Sequence, residues 1–367
     1  MNIAIIYGGK SSEHEVSRAS ASSIVRTISK KHTLHLIGIT KKGEWFLQGD
    51  EAREYILKNQ KAVLKIKKDE AKRVSVIPGG GIKKGLKAGN EFLKTDVIFA
   101  VLHGRFGEDG TIQGLFEMAD IPYVGGDVMS SSIAMDKEKT KIIWDYSNLP
   151  VVPYIAVRKW EWDNFEIRKS LLAKAEKDFD YPLFIKPCRV GSSIGAGRVY
   201  KREELTTQAE QAFLWDNKIL IEACIDAREV ECSVTGNEEA TAYIPGEIIP
   251  RHTFYDYDAK YIDPNGAELK IPADLDENTR KTIRELAIRA YRTLDLSGLS
   301  RVDFFIDKRS KKVYLNEINT IPGFTSISMF PKMCAASGLP YEKLIMHVID
   351  LAIVRFNGER KLKTARV

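Results

Sequence analysis

The chain has 367 residues, 44% of them apolar, 29% charged and 9% aromatic. At roughly 150 residues per domain this predicts two or three domains, and the ordinary apolar share excludes disorder of the whole chain. Lys and Arg number 56 against 50 Asp and Glu, a formal charge of +6, which is too thinly spread for the clustered basic face of a nucleic-acid binder. No apolar run approaches the roughly 20 residues of a membrane span. Ile3–Tyr7 opens an apolar strand with no basic leader before it, which predicts a protein without a secretion signal. Cys188, Cys224, Cys232 and Cys334 form no CxxC pair and read as reduced, mostly buried thiols of a cytoplasmic protein.

The first stretch alternates strand and helix. Ile3–Tyr7 reads as a buried strand, Ser17–Ile28 as a helix, and His35–Thr40 and Asp96–Leu102 as further strands. This rhythm argues for an α/β protein with a parallel sheet covered by helices. The Lys-rich stretch Lys58–Lys94, interrupted by Gly79, Gly80 and Gly81, reads as an elaborated edge or loop with a solvated surface. Ser130–Tyr146 has the spacing of one amphipathic helix, with Pro150 and Pro153 beyond it. Pro182–Lys186, Ala196–Tyr200 and Lys218–Glu222 read as strands, with a helix over Glu203–Phe213. Glu229–Thr235 alternates like a sheet strand, and Pro250–Ala273 is polar, aromatic and irregular, a long loop of the kind that is usually functional. Asn278–Leu294 is a helix, Arg301–Ile306 and Lys312–Asn316 are strands around a turn at Asp307–Lys311, and Tyr341–Phe356 is a closing helix before a frayed basic tail.

Three partial motifs mislead. Gly9-Lys10-Ser11 lacks the glycine that a phosphate loop needs five residues earlier, where Ala4 stands. Gly79–Gly85 misses the dinucleotide fingerprint by one residue, with no strand expected ahead of it. Gly191-Ser192-Ser193-Ile194-Gly195 satisfies the nucleophile-elbow pattern of serine hydrolases, with Ser193 as nucleophile and His252 or His347 as base. That motif must join a strand to a helix, whereas the strand pattern after it predicts a hairpin.

Five segments carry chemistry. Asp303 on one strand, with Glu317 and Asn319 two apart on the next, offers two carboxylates and an amide on one face. These hard oxygen ligands suit Mg²⁺, which completes its shell with phosphate and water. Lys186 at a strand end, beside the small-residue loop that contains Ser193, can hold phosphate through charge and close backbone N–H groups, and Lys137 is a second phosphate lysine. Glu222 can read an adenine edge and Glu229 a ribose. His103-Gly104-Arg105-Phe106-Gly107-Glu108-Asp109-Gly110 follows a strand end, where α/β sheets place ligands. Gly8–Ser17 does so again, with Glu13 able to meet an ammonium.

On these motifs the sequence resembles the D-alanine–D-alanine ligases of the ATP-grasp superfamily. His103–Gly114 and Arg301–Gly323 match the family's two long signatures, and Phe254–Tyr261 matches its ω-loop. The resemblance implies a three-domain ATP-grasp fold with an N-terminal Rossmann-like (pre-ATP-grasp) domain. Its units would be a substrate-binding domain over 1–126, a central lobe over 127–225 and a C-terminal lobe over 226–367. It implies that ATP activates one D-alanine as an acylphosphate, which a second D-alanine attacks to give the dipeptide of peptidoglycan precursors. It implies two Mg²⁺ or Mn²⁺ ions on Asp303, Glu317 and Asn319, and a homodimer formed through the N-terminal section.

Carried over by motif, Glu13 would hold the first D-alanine's ammonium with His103 nearby. Ser192 and Tyr261 would join Glu13 in a network that pins the ω-loop, and Lys260 would reach the γ-phosphate. Arg301 and the N–H of Gly323 would stabilise the oxyanion, and Ser328 and Met329 would receive the second carboxylate. Glu222, Ala223 and Ile225 would meet the adenine edge, Glu229 the ribose, and Phe254 the adenine face. A relative that uses D-serine or D-lactate as second substrate is the alternative; Tyr261 argues for D-alanine.

Overall fold

The computed structural model describes residues 1–250 and 267–363. In its first part β1 (Asn2–Gly8) is apolar on both faces and almost wholly buried, the pattern of a central parallel strand. It lies between β2 (Thr33–Ile39) and β7 (Val97–Ala100), pairing with each in parallel, and β3 (Trp45–Gln48) closes the edge beyond β2. The helices α1 (His14–Thr27), α2 (Asp50–Lys58) and α4 (Thr111–Ala119) accompany this sheet. Between α2 and β7 the Lys-rich stretch is no mere loop. It forms β4 (Val74–Val76), the one-turn α3 (Gly81–Lys84), β5 (Leu86–Ala88) and β6 (Glu91–Leu93), a three-stranded antiparallel sheet. Leu64, Leu86 and Leu93 are buried there while the lysines stay out. A strand does precede Gly79, but β4 and β5 run antiparallel, so no dinucleotide-binding unit results.

The helix expected over Ser130–Tyr146 is two helices, α5 (Val128–Met135) and α6 (Lys137–Tyr146). They part at Asp136, whose backbone is extended and whose carboxylate caps α6 by accepting from the Lys139 N–H at 3.3 Å. Both Asp136 oxygens also lie 2.7 Å from the buried Lys218 ammonium, and this pairing holds the residue out of the helix.

The middle sheet has the order β10-β9-β11-β8, all antiparallel, from β8 (Tyr154–Arg158), β9 (Leu183–Pro187), β10 (Gly197–Val199) and β11 (Lys218–Ala223). The helices α7 (Lys159–Asp163), α8 (Phe165–Asp178) and α9 (Arg202–Phe213) complete this part. Sequence reading misses β8, α7 and α8. Only Ala175 of α8 is fully buried, with Leu171 and Leu172 half-buried beside it on the core of the middle sheet, so its apolar stripe is short and faint.

The third sheet follows the order β15-β14-β12-β16-β17, with β13 on β12. Its strands are β12 (Ala227–Gly236), β13 (Thr241–Ala242), β14 (Gly246–Pro250), β15 (Ala267–Lys270), β16 (Gly298–Asp307) and β17 (Val313–Asn319). The loop expected over Pro250–Ala273 thus contains an edge strand. Its exposed Glu268, Leu269 and Lys270 carry no alternation. The helices α10 (Glu277–Thr293), α11 (Met329–Ala336) and α12 (Tyr341–Glu359) follow.

The cores cross these parts. Ile3, Ile5, Phe99 and Val101 of the first sheet share one core with Phe324, Phe330, Leu344 and Val348. Trp144 of α6 sits with Val230, Val302 and Tyr291, and donates its indole N–H to Ala290 O at 3.1 Å. Among the described residues no helix is long and apolar enough to cross a membrane, and all four cysteines are free, three of them buried.

Phe324 packs edge-on against Phe99 at 5.4 Å and beside Phe330 and Tyr341 at 5.7 and 5.8 Å. Phe324→Ala should cost about 3–5 kcal/mol by leaving a cavity where the first sheet meets the last helices. Urea unfolding of the variant beside the parent chain checks this, and an unchanged midpoint would show that the shared core does not bear on stability.

Candidate active site

A cavity of about 410 Å³ lies between the middle and third sheets. Lys186 on β9 reaches it, with its ammonium 2.9 Å from Glu222 Oε2 and 3.0 Å from Asn316 Oδ1. Glu222 stands near the end of β11, already engaged by other side chains. Its carboxylate is buried between two lysines, because Lys141 of α6 lies 2.9 Å from Oε1. Burial works against its charge, but the two ammonium groups outweigh it and hold the carboxyl below its ordinary range. Sequence reading missed Lys141. Burial pushes that ammonium down to about 8, against the pull of Glu222. Ala223, Cys224, Ile225 and Glu229 are half-buried along the same wall, and Ser193 lies in the hairpin at its mouth. Lys137, the first residue of α6, donates to Val190 O at 2.9 Å and stands 3.4 Å from Glu317 Oε2.

The register of β16 and β17 sets Arg301 opposite Asn319 and Asp303 opposite Glu317. Arg301 grips Asp303 with two hydrogen bonds, Nε to Oδ1 at 2.7 Å and Nη2 to Oδ2 at 2.6 Å. Asn319 donates to the same Oδ2 at 2.9 Å. Sequence reading also missed Glu231, which pairs in register with Asp303 and lies 3.0 Å from Arg301 Nε. Its signal was present, since Glu229 and Glu231 are two apart on one strand and share a face. Burial opposes Arg301's charge, yet Asp303 and Glu231 hold its pKa well above the ordinary value. Among the described residues no group of three His, Cys, Asp or Glu side chains forms a ready metal cage. Two carboxylates and an amide do fit a hard divalent ion whose remaining ligands are phosphate oxygens and water.

A second cavity of about 850 Å³ adjoins the first and shares Lys137, Ser192 and Glu317 with it. Glu13, just before α1, is buried at its edge and accepts from Ser192 Oγ at 2.6 Å. Ser192 and Ser193 both adopt left-handed backbone, with φ of 56° and 58°, a strained choice for non-glycine residues that clusters at functional sites. Gly104 faces Glu13 so closely that a Cβ there would fall 2.5 Å from Oε2. His103 is buried and donates through Nδ1 to Ile321 O at 2.8 Å, which leaves Nε2 to accept from Ser20 Oγ at 3.2 Å. Burial lowers its pKa although Glu13 opposes this, so the ring is neutral.

Gly323 stands at the exit of β17, half-buried in this cleft. Ser328 stands at the N-cap position of α11, but its hydroxyl turns back to Thr325, accepting from the backbone N–H at 3.2 Å and lying 2.7 Å from Oγ1. The Met329 side chain packs with Ile248 and Met333, so only its backbone N–H, at a helix start, is available to an anion. Phe254, Lys260 and Tyr261 lie outside the described residues, as does His252. The serine-hydrolase reading finds no support: Gly191–Gly195 joins two antiparallel strands, and His347 is bound 3.1 Å from Thr235 Oγ1.

Two antiparallel sheets closing on a lysine-lined cavity, with carboxylates at its inner end and a Rossmann-like sheet beside them, define a ligase of the ATP-grasp fold. Residues 2–126 match the family model for the D-ala D-ala ligase N-terminus, and 143–350 match that for its C-terminus. The chain belongs to the D-alanine–D-alanine ligase family. It is 78% identical over 366 residues to the D-alanine–D-alanine ligase of Treponema denticola, covering 100% of both chains. It is 46% identical to that of Acetivibrio thermocellus, over 98% of this chain and 97% of the relative. Among solved structures it is similar to the D-alanine–D-alanine ligase from Coxiella burnetii (TM-score 0.82, 33% identity, 98% of this chain and 96% of that one). It is likewise similar to the VanG D-Ala:D-Ser ligase from Enterococcus faecalis (TM-score 0.82, 35% identity, 96% and 99%).

Glu108 joins the two signatures. Gly104 N–H donates to its Oε2 at 2.6 Å and Ile321 N–H to its Oε1 at 3.0 Å. Burial, and then the charge of Glu13, push it up to about 8 against those two donors. Its folded pKa lies above the unfolded value, so its contribution to stability is fully present below about pH 4 and is lost as pH rises through about 8. The parent chain should therefore lose more thermal stability between about pH 5 and 8 than Glu108→Gln does. Parallel melting series check this, and equal slopes would remove the assignment.

Proposed function

We propose that the chain joins two D-alanine molecules to D-alanyl-D-alanine at the expense of ATP, releasing ADP and phosphate, by way of D-alanyl phosphate. The observation that carries this is the continuity of the two cavities. Lys137, Ser192 and Glu317 line both, so a phosphoryl group leaving one would arrive at a carboxylate bound in the other. Phosphoryl transfer needs positioning and charge neutralisation more than covalent help. Lys137 and Lys186 supply positive charge, the Ser193 hairpin supplies backbone donors, and Lys260 adds a third ammonium by family resemblance. Mg²⁺ or Mn²⁺, two ions in the family, would be held by Asp303, Glu317 and Asn319 and would neutralise phosphate charge. Glu222, Ala223 and Ile225 meet the adenine edge, Glu229 the ribose, and Phe254 the ring face.

At the other end Glu13 holds the first ammonium, oriented by Ser192, while neutral His103 fills the wall behind it. Arg301 and the Gly323 N–H face the oxyanion. One such donor is typically worth on the order of 10²–10³ in rate. Ser328 and the Met329 N–H take the second carboxylate at the start of α11. By family resemblance Tyr261 would join Glu13 and Ser192 in pinning the ω-loop, which would keep water from the acylphosphate. The reading includes three units, over 1–126, 127–225 and 226–367, a cytoplasmic location in peptidoglycan precursor synthesis, and a homodimer through the first unit; family resemblance supports these.

D-serine or D-lactate as second substrate is the other reading, and the likeness to a D-Ala:D-Ser ligase favours testing it. ADP release and product mass, measured with D-alanine alone and with each alternative added, separate the readings. D-alanine alone should give the dipeptide, and its failure to do so would overturn the proposal. Glu317→Gln should lower turnover at least about 10²-fold, and should raise the Mn²⁺ concentration needed for half-maximal activity, by removing one anionic ligand. Near-parental turnover at low metal would remove Glu317 from the metal site.

A further inference from the structure

Lys141 has no place in the reaction as described, yet it is fully buried and charged. Its ammonium lies 2.9 Å from Glu222 Oε1, donates to Val152 O at 3.2 Å and stands 5.4 Å from the Tyr154 ring centre. It sits behind the nucleotide cavity, which Glu222 and Lys186 line and Lys141 does not. The three side chains form a row: Lys141 on one carboxylate oxygen, Lys186 on the other.

The charge count of this row matters. One carboxylate with one buried lysine would be a closed neutral pair, and Lys186 would be spent on Glu222. The second lysine leaves a surplus positive charge, which a polyphosphate can take up. It also keeps Glu222 an ionised, acceptor-only group with lone pairs left for a donor on the base. A 6-amino purine presents such a donor, and a 6-oxo purine turns an acceptor toward the same anion.

We propose that Lys141 is a positioning residue for nucleotide selection. Through Glu222 it fixes an anionic edge toward the base, and it releases Lys186 to the phosphates. This rests on the ATP-dependent ligase reading. A merely structural role, pinning α6 to Val152, would affect all substrates alike.

The test uses the full chain and the variants Lys141→Met, Lys141→Gln, Glu222→Gln and the double variant Lys141→Met with Glu222→Gln. The readouts are KM and kcat with ATP and with GTP, KM for D-alanine, and equilibrium binding of ATP and GTP without D-alanine. Lys141→Met should raise KM for ATP about tenfold or more, the scale of a lost charged contact. It should narrow the preference for ATP over GTP by about tenfold and leave KM for D-alanine within about twofold. In the Glu222→Gln background it should add almost nothing, because coupled residues are not additive. If Lys141→Met does not fold, Lys141→Gln, which keeps a donor for Val152 O, carries the same expectation. An unchanged ATP preference, equal losses for ATP and D-alanine, or additive effects in the double variant would overturn the proposal. Absence of dipeptide from the parent chain would overturn the ligase reading instead, while the binding preference would still judge Lys141.

Discussion

Charge cannot be buried in this fold without a partner, and that constraint organises the interior. Lys141, Lys186 and Lys218 are all buried, and each meets a carboxylate within 3 Å. Breaking such a pair costs more than the pair is worth, because the survivor is left uncompensated. The local chain bends to these demands. α5 and α6 part at Asp136 because Lys218 needs its carboxylate, and Lys218 also holds Glu138 at 2.5 Å. Arg301 stands between Glu231 and Asp303, so its guanidinium has two carboxylate partners rather than one.

The same helix ties the parts together. α6 carries Trp144 into the core of the third sheet, Lys141 to the end of β11 in the middle sheet, and Lys137 to the boundary of the two cavities. It thus packs on the third sheet while reaching the middle one. Beyond it the chain leaves Pro153 for β8, and the middle sheet has its own core around Ile155, Ile185 and Ile219.

Much of this was legible in the sequence. The parallel first sheet shows in the continuous apolar run of β1, and the shared face of Glu317 and Asn319 shows in their two-residue spacing on β17. The hairpin at Gly191–Gly195 shows in the strand pattern on either side. What sequence reading missed has physical causes. α8 buries only Ala175 fully and half-buries Leu171 and Leu172, a stripe too short to stand out. Lys141 reads as an ordinary surface lysine, since burial of a long cation is a property of its tertiary partners. The small sheet inside the Lys-rich stretch hides among charges that outnumber its few buried leucines. Glu222 was picked out, but its commitment to two lysines depends on strands and a helix far apart in sequence.

The shared core of the first and last segments also governs the order of biosynthesis. Ile3, Ile5 and Val97 find their cover partly in Leu344, Val348 and Ala352 of α12, near the end of the chain. A ribosome delivers residues from the N-terminus, so the first sheet, complete at Ala100, waits for a helix that starts only at Tyr341. The family's two sequence modules, separable on paper, are therefore a single folding partnership sealed by the last helix.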